Sequence, residues 1–179
     1  MIREYAQSLS NRGHFLDEIE VSNMKGGRDK FMSLFCYDES VKEYVKEKGK
    51  IAGYNGIIYL AKEHILDVDG ESFIEARDAT IDLVALLDDI NVPKRIYFSG
   101  RGFHVSIDQA AFMWEPHKEL HNYVKEALNA KGIFNFADSS VTDKTRLIRV
   151  NNTINTKSGL YKVDMTQWLE KYDVLDNLR

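Results

Sequence analysis

The chain has few of the features on which several common protein classes depend. Only one of its 179 residues, Cys36, is a cysteine, which excludes an internal disulfide and a cysteine-rich zinc module. No apolar run approaches the roughly 18 residues that span a bilayer, and residues 1–12 lack the apolar stretch of a secretory signal. No internal repeat or low-complexity segment is present. These absences predict a soluble, intracellular globular protein.

Composition and charge narrow the remaining possibilities. With 44% hydrophobic residues the chain can bury a substantial core, and its length suits one domain. A net charge of −4 argues against a nonspecific coat for nucleic acid but allows a local basic groove. We expect a single domain over residues 1–179, made of an N-terminal α/β accessory layer (1–56), a core (57–163) and a C-terminal tail (164–179). The tail is predicted to be a short helix on the sheet or a hinge.

The elements of the core come in a recognisable order. A strand from His64 to Asp69 precedes a helix of 3.6-residue periodicity, from about Glu71 to Ile90, which Pro93 ends. There follow a strand (94–98), a glycine turn, a returning strand (103–107), a helix (116–130) and a fourth strand (146–150). This βαββαβ order predicts an α+β, RRM-like fold whose four antiparallel strands carry both helices on one face. In the accessory layer we predict a strand at 31–37 and a helix at 39–48.

Asp67 and Asp69 are the most informative pair of residues. Side chains two apart on a strand point to the same face, with Cα atoms roughly 7 Å apart, so the two carboxylates can share divalent metal ions. A solvated strand edge or a helix cap would explain the same pair without metal. The pair therefore needs support from elsewhere in the chain.

Support comes first from the glycine turn between two predicted strands. Gly100 and Gly102 allow the backbone to approach a polyphosphate, while Ser99, Arg101 and His104 offer hydrogen-bond donors to phosphate oxygens. A tight hairpin with a core histidine is the alternative. The turn is thus a candidate nucleotide-binding segment.

A third acid and a basic run follow. Two metal ions usually require an acidic ligand beyond the first pair, and either Asp138 or Asp143 could supply it, although both could also be capping residues. From position 144 to 163 the chain has basic residues and no acidic one: Lys144, Arg146, Arg149, Lys157 and Lys162. This run is a candidate surface for a triphosphate.

Taken in order, these motifs resemble the catalytic core of the archaeo-eukaryotic primase superfamily. The resemblance spans roughly residues 57 to 163 and is closest to primase small subunits and to the compact primase-polymerases of plasmids, phages and prokaryotic mobile elements. It rests on Asp67-Val68-Asp69, Ser99-Gly100-Arg101-Gly102-Phe103-His104, Asp138, Arg146-Leu147-Ile148-Arg149 and Asn155-Thr156-Lys157-Ser158-Gly159. Asn155 stands where a histidine is common in the cellular small subunits.

The resemblance implies a nucleotidyltransferase, a DNA-directed primase or polymerase that acts in DNA replication with Mg²⁺ or Mn²⁺ in a two-metal site. It implies that the catalytic metals are bound by Asp67, Asp69 and Asp138. It also implies that the incoming nucleotide contacts Ser99, Arg101, His104, Arg149, Asn155 and Lys157. Expected partners are nucleoside triphosphates, a single-stranded DNA template and a helicase or accessory primase domain, with no membrane. The expected location is the cytoplasm, in a prokaryotic, viral or plasmid setting.

Two other functional classes compete with this interpretation. A noncatalytic RNA-binding module of the same topology could use Tyr97 and Phe103 as stacking platforms. A metal-dependent nuclease or replication initiator would also use carboxylates and a histidine for phosphodiester cleavage. Metal-independent binding favours the first class, and nicking of a strand without added nucleotide favours the second.

Overall fold

The chain folds into an α+β structure with two larger antiparallel sheets and a small one of two strands, β10 and β11, seen in a computed structural model that describes residues 1–24 and 26–167. The strands are β1 (Ile2–Ala6), β2 (His14–Asp17), β3 (Phe31–Ser33), β4 (Phe35–Tyr37), β5 (Ile58–Leu60), β6 (Glu63–Val68), β7 (Lys94–Phe98), β8 (Phe103–Asp108), β9 (Leu147–Arg149), β10 (Ile154–Asn155), β11 (Leu160–Tyr161) and β12 (Val163–Asp164). The helices are α1 (Glu18–Ser22), α2 (Ser40–Lys48), α3 (Phe73–Asp89) and α4 (Leu120–Ala130). The predicted α+β class is confirmed.

The first sheet, which we call the N-terminal sheet, has the strand order β5-β4-β1-β3-β9, with β2 also paired to β1. The central strand β1 buries two charged side chains, Arg3 and Glu4. Glu4 accepts hydrogen bonds from the Arg12 guanidinium (2.6 Å) and from the Gly13 backbone (2.9 Å), so its charge is compensated. These bonds fix the β1–β2 hairpin.

The second sheet, the C-terminal sheet, has the order β12-β7-β8-β6. Asp67 on β6 lies opposite His104 on β8, which in turn lies opposite Tyr97 on β7, so these three side chains share one face. The other face carries Val68 and Phe103 and is covered by α3. This register places Asp67 and His104 on the face that α3 leaves uncovered.

The predicted fourth strand of this sheet is corrected by the structure. Residues 147–149 do form a strand, β9, but it pairs with β3 of the N-terminal sheet, with Arg149 opposite Phe31. The fourth strand of the C-terminal sheet is instead β12, which pairs with β7. Helix α4 packs mainly against β5 and against 3₁₀ turns, not on the same face as α3. An alternating pattern specifies a strand but not its partner, and Arg149 gains a contact over the Phe31 ring, 5.1 Å from its centroid.

Other predicted elements differ in detail. The strand expected at 31–37 is divided at Leu34 into β3 and β4, and the helix expected from Pro116 begins at Leu120. Of the predicted C-terminal tail, residues 168–179 lie outside the described part. In the described part, no helix combines the length and the apolar character that a membrane crossing requires. The division into accessory layer, core and tail stays a prediction.

Candidate active site

A cleft of about 1320 Å³ opens between the two sheets. Every site residue predicted from sequence lines it except Asp138, and the rival acid Asp143 lines it as well. The C-terminal sheet and its turn contribute Asp67, Asp69, Ser99, Arg101 and His104, while Arg149, Asn155 and Lys157 come from β9 and the segment after it. The cleft therefore combines carboxylates at the end of β6 with cations from three elements, which we call the cationic side: Arg101 on the turn, Arg149 on β9 and Lys157 after β10.

Asp67 is held by two neighbours at the end of β6. Its Oδ1 lies 3.3 Å from His104 Nε2, and its Oδ2 lies 3.5 Å from Arg146 Nη2. Burial raises the pKa of Asp67, but His104, Arg146 and Lys162 outweigh burial and leave the pKa below its usual value. Asp67 is therefore a carboxylate at neutral pH.

His104 is neutral in the same environment. Burial, followed by the charge of Lys162, lowers its pKa to about 4, although Asp67 acts in the opposite direction. The nearby carboxylate favours the tautomer with the proton on Nε2. Nδ1 is then a buried acceptor, and it has no partner among the described residues. His104 thus orients Asp67 without adding positive charge.

A backbone hydrogen bond holds Asp138 next to Asp67. Its N–H donates to the Asp67 carbonyl (2.9 Å), and its carboxylate accepts from the Ser140 N–H (2.9 Å) and hydroxyl (2.6 Å). Its Oδ2 also lies 3.4 Å from Arg146 Nη2, so one guanidinium bridges Asp67 and Asp138. Asp143 lines the cleft, but within the described part of the chain only Asp138 of these two acids shares the Arg146 guanidinium with Asp67.

Asp69 follows β6 and is exposed at the cleft. Its pKa is raised by partial burial and then by the negative charge of Asp67, with Asp138 also contributing. The glycine turn lies directly against this strand end. A Cβ on Gly102 would lie 2.6 Å from Asp69 Oδ1 and 2.5 Å from the Val68 carbonyl oxygen, so only glycine fits there without displacement.

The turn itself is closed by its own backbone. Ser99 N–H donates to the Gly102 carbonyl (2.9 Å), and Gly102 N–H donates to Ser99 Oγ (3.2 Å). Gly100 has φ of +97°, a conformation that favours glycine. Arg101 is exposed at the tip and lines the cleft. The turn therefore presents a cation beside the carboxylates.

Arg149 is positioned by contacts that leave its charge partly compensated. Its guanidinium forms an ion pair with Asp29 and donates from Nη1 to the Ile154 carbonyl (3.3 Å). Asp29 also accepts a hydrogen bond from the Thr156 hydroxyl. A phosphate that binds Arg149 must therefore compete with Asp29.

Asn155 links two parts of the site. It is buried, its side-chain N–H donates to the Ser99 carbonyl (3.5 Å), and its Oδ1 accepts from the Lys157 N–H (3.1 Å). The amide thus fixes the Lys157 segment against the glycine turn. Lys157 itself is exposed in the cleft.

Sequence reasoning missed contributions of the N-terminal layer. Arg12, Arg28 and Asp29 all line the cleft, as do residues 7–10 at the tip of the β1–β2 hairpin. The Gly26-Gly27 pair before Arg28 was a usable signal, because paired glycines before charged residues suggest a loop near a ligand. Arg12 has no comparable signal in the sequence.

The chemistry of the acids suits a divalent cation. Three carboxylates give hard oxygen donors of the kind that Mg²⁺ and Mn²⁺ prefer. The pKa of Asp69 is raised first by burial and then by the negative charge of Asp67, and a bound cation would offset that charge. Within residues 1–24 and 26–167, however, no three histidine, cysteine, aspartate or glutamate side chains are grouped as a metal site. A cation held by Asp67, Asp69 and Asp138 would require Arg146 to move, because its guanidinium bridges Asp67 and Asp138.

The chain was compared with protein families, curated proteins and solved structures. No family model matches the chain, and no curated protein matches it. Among solved structures, the chain is similar to the polymerase domain from Mycobacterium tuberculosis Ligase D in complex with DNA. The TM-score is 0.49 and the identity 12%, over 79% of this chain and 53% of that chain. At this level of similarity, the function has to be argued from the site.

Proposed function

We propose that the chain is a DNA primase-polymerase that transfers nucleotides from nucleoside triphosphates under the direction of a single-stranded DNA template. The observation that carries the proposal is that carboxylates and cations line the same cleft. Asp67 and Asp69 lie at the end of β6 and just after it, while Arg149 lies on β9 of the N-terminal sheet and Lys157 follows β10. A nucleoside triphosphate needs both the acids and the basic residues, because its reacting phosphorus and its terminal phosphates require different partners.

The cationic side accounts for binding of the triphosphate. Arg101, Arg149 and Lys157 can neutralise phosphate charge, and a guanidinium can do so through two parallel hydrogen bonds. The Ser99 hydroxyl retains its own proton for donation, because it is the acceptor in its bond to Gly102. The cleft also exceeds the roughly 300–1,000 Å³ of a typical small-molecule site, which leaves room for a strand beside the nucleotide.

The reaction is an in-line displacement at the α-phosphorus. A terminal 3′-hydroxyl attacks, the new O–P bond forms, the bond to the bridging oxygen breaks, and pyrophosphate leaves while the hydroxyl proton passes to solvent. Mg²⁺ or Mn²⁺ held by Asp67, Asp69 and Asp138 would supply Lewis-acid stabilisation of the charge at that phosphorus. His104 keeps Asp67 in position, and Arg149 and Lys157 stabilise charge on the leaving group.

The structure weakens the case for the RNA-binding alternative. That alternative required exposed faces on Tyr97 and Phe103, but these residues are only 4% and 5% exposed. Lys162 Nζ lies 5.1 Å from the centroid of the Tyr97 ring, and Phe103 packs under α3, so neither ring offers a face to a base. The burial of both rings therefore counts against this alternative.

An incorporation assay on single-stranded DNA tests the proposal. We expect extension with Mg²⁺ or Mn²⁺, and almost none for Asp67→Ala or Asp69→Ala, because the carboxylates hold the reacting centre. Asp82→Ala, which removes an exposed carboxylate on α3, is the matched control and should behave as wild type. Strand nicking without nucleotide would support a nuclease instead, and normal incorporation by Asp67→Ala would contradict the proposal.

The same assay defines the substrate and the need for partners. Ribo- and deoxyribonucleotides compared with and without a primer give the sugar preference and the capacity to initiate. We propose that a helicase or an accessory primase domain assists initiation. Synthesis that begins only with a primer would support such assistance, and efficient initiation by the chain alone would oppose it.

A further inference from the structure

One aromatic side chain on the cleft wall is not used by the chemistry above. Phe73 is the first residue of α3, lines the cleft and is 54% exposed. The Ser72 hydroxyl accepts the Glu75 N–H (3.2 Å) and caps the helix there, which fixes where Phe73 begins it. A large apolar side chain is thus kept in a polar cleft at a defined position.

The Phe73 ring is supported from behind by two other rings. Its centroid lies 6.0 Å from that of Phe98, in an edge arrangement, and 5.7 Å from that of Phe103, in a tilted one. Phe98 and Phe103 pack on each other at 5.7 Å and flank the glycine turn. Because these contacts restrict the Phe73 ring before a ligand binds, stacking on its exposed part costs less conformational entropy than stacking on an unsupported side chain.

The position of Phe73 relative to the charges indicates which ligand it suits. Helix α3 covers one face of the C-terminal sheet, whereas Asp67 and His104 on the other face line the cleft together with Arg149 of the N-terminal sheet. Asp67 lies near the end of β6, and Asp69 follows that strand. The Phe73 ring offers an apolar face to an uncharged base but no hydrogen-bond donor to a phosphate, and the exposed Glu71 nearby is negatively charged.

We propose that Phe73 is a stacking platform for a base of the nucleic-acid strand, on the α3 side of the C-terminal sheet and away from Arg149. This inference rests on the proposed function, since it assumes that phosphates occupy the cationic side and that the reaction takes place at the acids. The strand must then approach from the side of α3. Stacking suits a site that copies any sequence, because every base presents a π-face.

Binding and incorporation measured on the full chain test this assignment. Fluorescence anisotropy with a labelled single-stranded oligodeoxynucleotide gives strand affinity, and a titration with labelled nucleoside triphosphate gives nucleotide affinity separately. Phe73→Ala and Phe73→Leu should weaken strand binding by about 5- to 150-fold, the range for one stacked base. Nucleotide affinity should remain unchanged in both variants. Phe73→Trp, which keeps an aromatic ring, should bind the strand about as tightly as wild type does.

The matched control is Ile74→Ala, which removes an apolar side chain that is 58% exposed on the same helix turn and does not line the cleft. It should bind the strand as wild type does. Thermal unfolding of each variant separates stacking from packing, since Phe73→Leu keeps an apolar contact with Phe98 and Phe103. Wild-type strand affinity in Phe73→Leu would overturn the inference, and so would an equal loss in Ile74→Ala.

The outcome is distinguishable from failure of the proposed function. If wild-type protein binds the strand through Phe73 but incorporates nothing, the polymerase proposal fails and the stacking site stands. If incorporation is normal and Phe73→Ala weakens nucleotide rather than strand binding, the stacked base belongs to the incoming nucleotide and the assignment to the strand is wrong.

Discussion

Replacement of Gly102 by alanine tests how closely the glycine turn must pack against the carboxylates. The φ angle of Gly102 lies outside the left-handed region, so alanine brings no backbone strain of its own. The added methyl group would nevertheless lie 2.5 Å from the Val68 carbonyl oxygen and 2.6 Å from Asp69 Oδ1. Both contacts are much shorter than van der Waals separation, so the turn and the strand end have to move apart.

The size of the effect follows from that displacement. Relief of the two contacts requires roughly 0.5–1 Å of movement, and a shift of about 1 Å in an active site can cost about 10²-fold in rate. Overpacking of this kind costs about 1–3 kcal/mol of folding free energy. Gly102→Ala should therefore fold, with a lower Tm, and should lose about 10²-fold in kcat for templated incorporation.

The assay compares Gly102→Ala with Gly49→Ala, a control that is destabilised for a different reason. Gly49 ends α2 with φ of +69° and has nothing within 4 Å of an added Cβ, so alanine there costs about 1–2 kcal/mol of backbone strain far from the cleft. We expect a similar loss of Tm in both variants and a loss of kcat only in Gly102→Ala. Wild-type kcat in Gly102→Ala, or an equal loss in Gly49→Ala, would refute the reasoning.

Three further predictions concern charges. Asp29→Asn should tighten nucleoside triphosphate binding about fivefold, equivalent to about 1 kcal/mol, because Arg149 loses its anionic partner; unchanged affinity in a nucleotide titration would count against it. Arg146→Ala should tighten Mn²⁺ binding measured by calorimetry, because no guanidinium then competes for the carboxylates, and weaker binding would contradict this. Burial, with a contribution from Arg3, lowers the pKa of His64 from 6.5 to about 4, so the unfolded chain takes up the proton first as the pH falls. Stability should decrease between about pH 6.5 and pH 4 by up to about 3 kcal/mol for this group, and urea unfolding of His64→Phe should show a shallower pH dependence.

The sequence was sufficient for the part of the fold that carries the acids. The strand that carries Asp67, the helix after it and the hairpin around Gly100 follow from local signals: apolar runs, 3.6-residue periodicity and glycine turns. Their pairing follows from short connections, since β7 and β8 are joined by a four-residue turn, Ser99 to Gly102. Local pattern and topology agree there.

The sequence was insufficient where long-range pairing decides the structure. The basic strand at Arg149 was predicted as a strand, but its partner, β3, lies more than 100 residues away in the chain, and no local pattern encodes that choice. As a result, Arg149 was assigned to the wrong sheet. Arg149 and Lys157 line the cleft, and their role in phosphate binding stays a prediction.

The strand β1 was missed for a different reason. Its burial does not alternate, because Arg3 and Glu4 are adjacent and both buried, with Glu4 neutralised by Arg12. A strand that buries opposite charges through tertiary partners has no period-2 signature. The contribution of Arg12 to the cleft depends on that strand and could not be read from the sequence.

The proposal depends on the three carboxylates acting as one cation-binding centre for a nucleotide. The most direct measurement is Mn²⁺ binding followed by electron paramagnetic resonance in the presence of a nonhydrolysable nucleoside triphosphate. Wild type should bind Mn²⁺, while Asp67→Asn, Asp69→Asn and Asp138→Asn should each weaken it by at least about tenfold, with Asp82→Asn unchanged. Mn²⁺ binding that is equally strong in Asp67→Asn and Asp69→Asn would contradict the account.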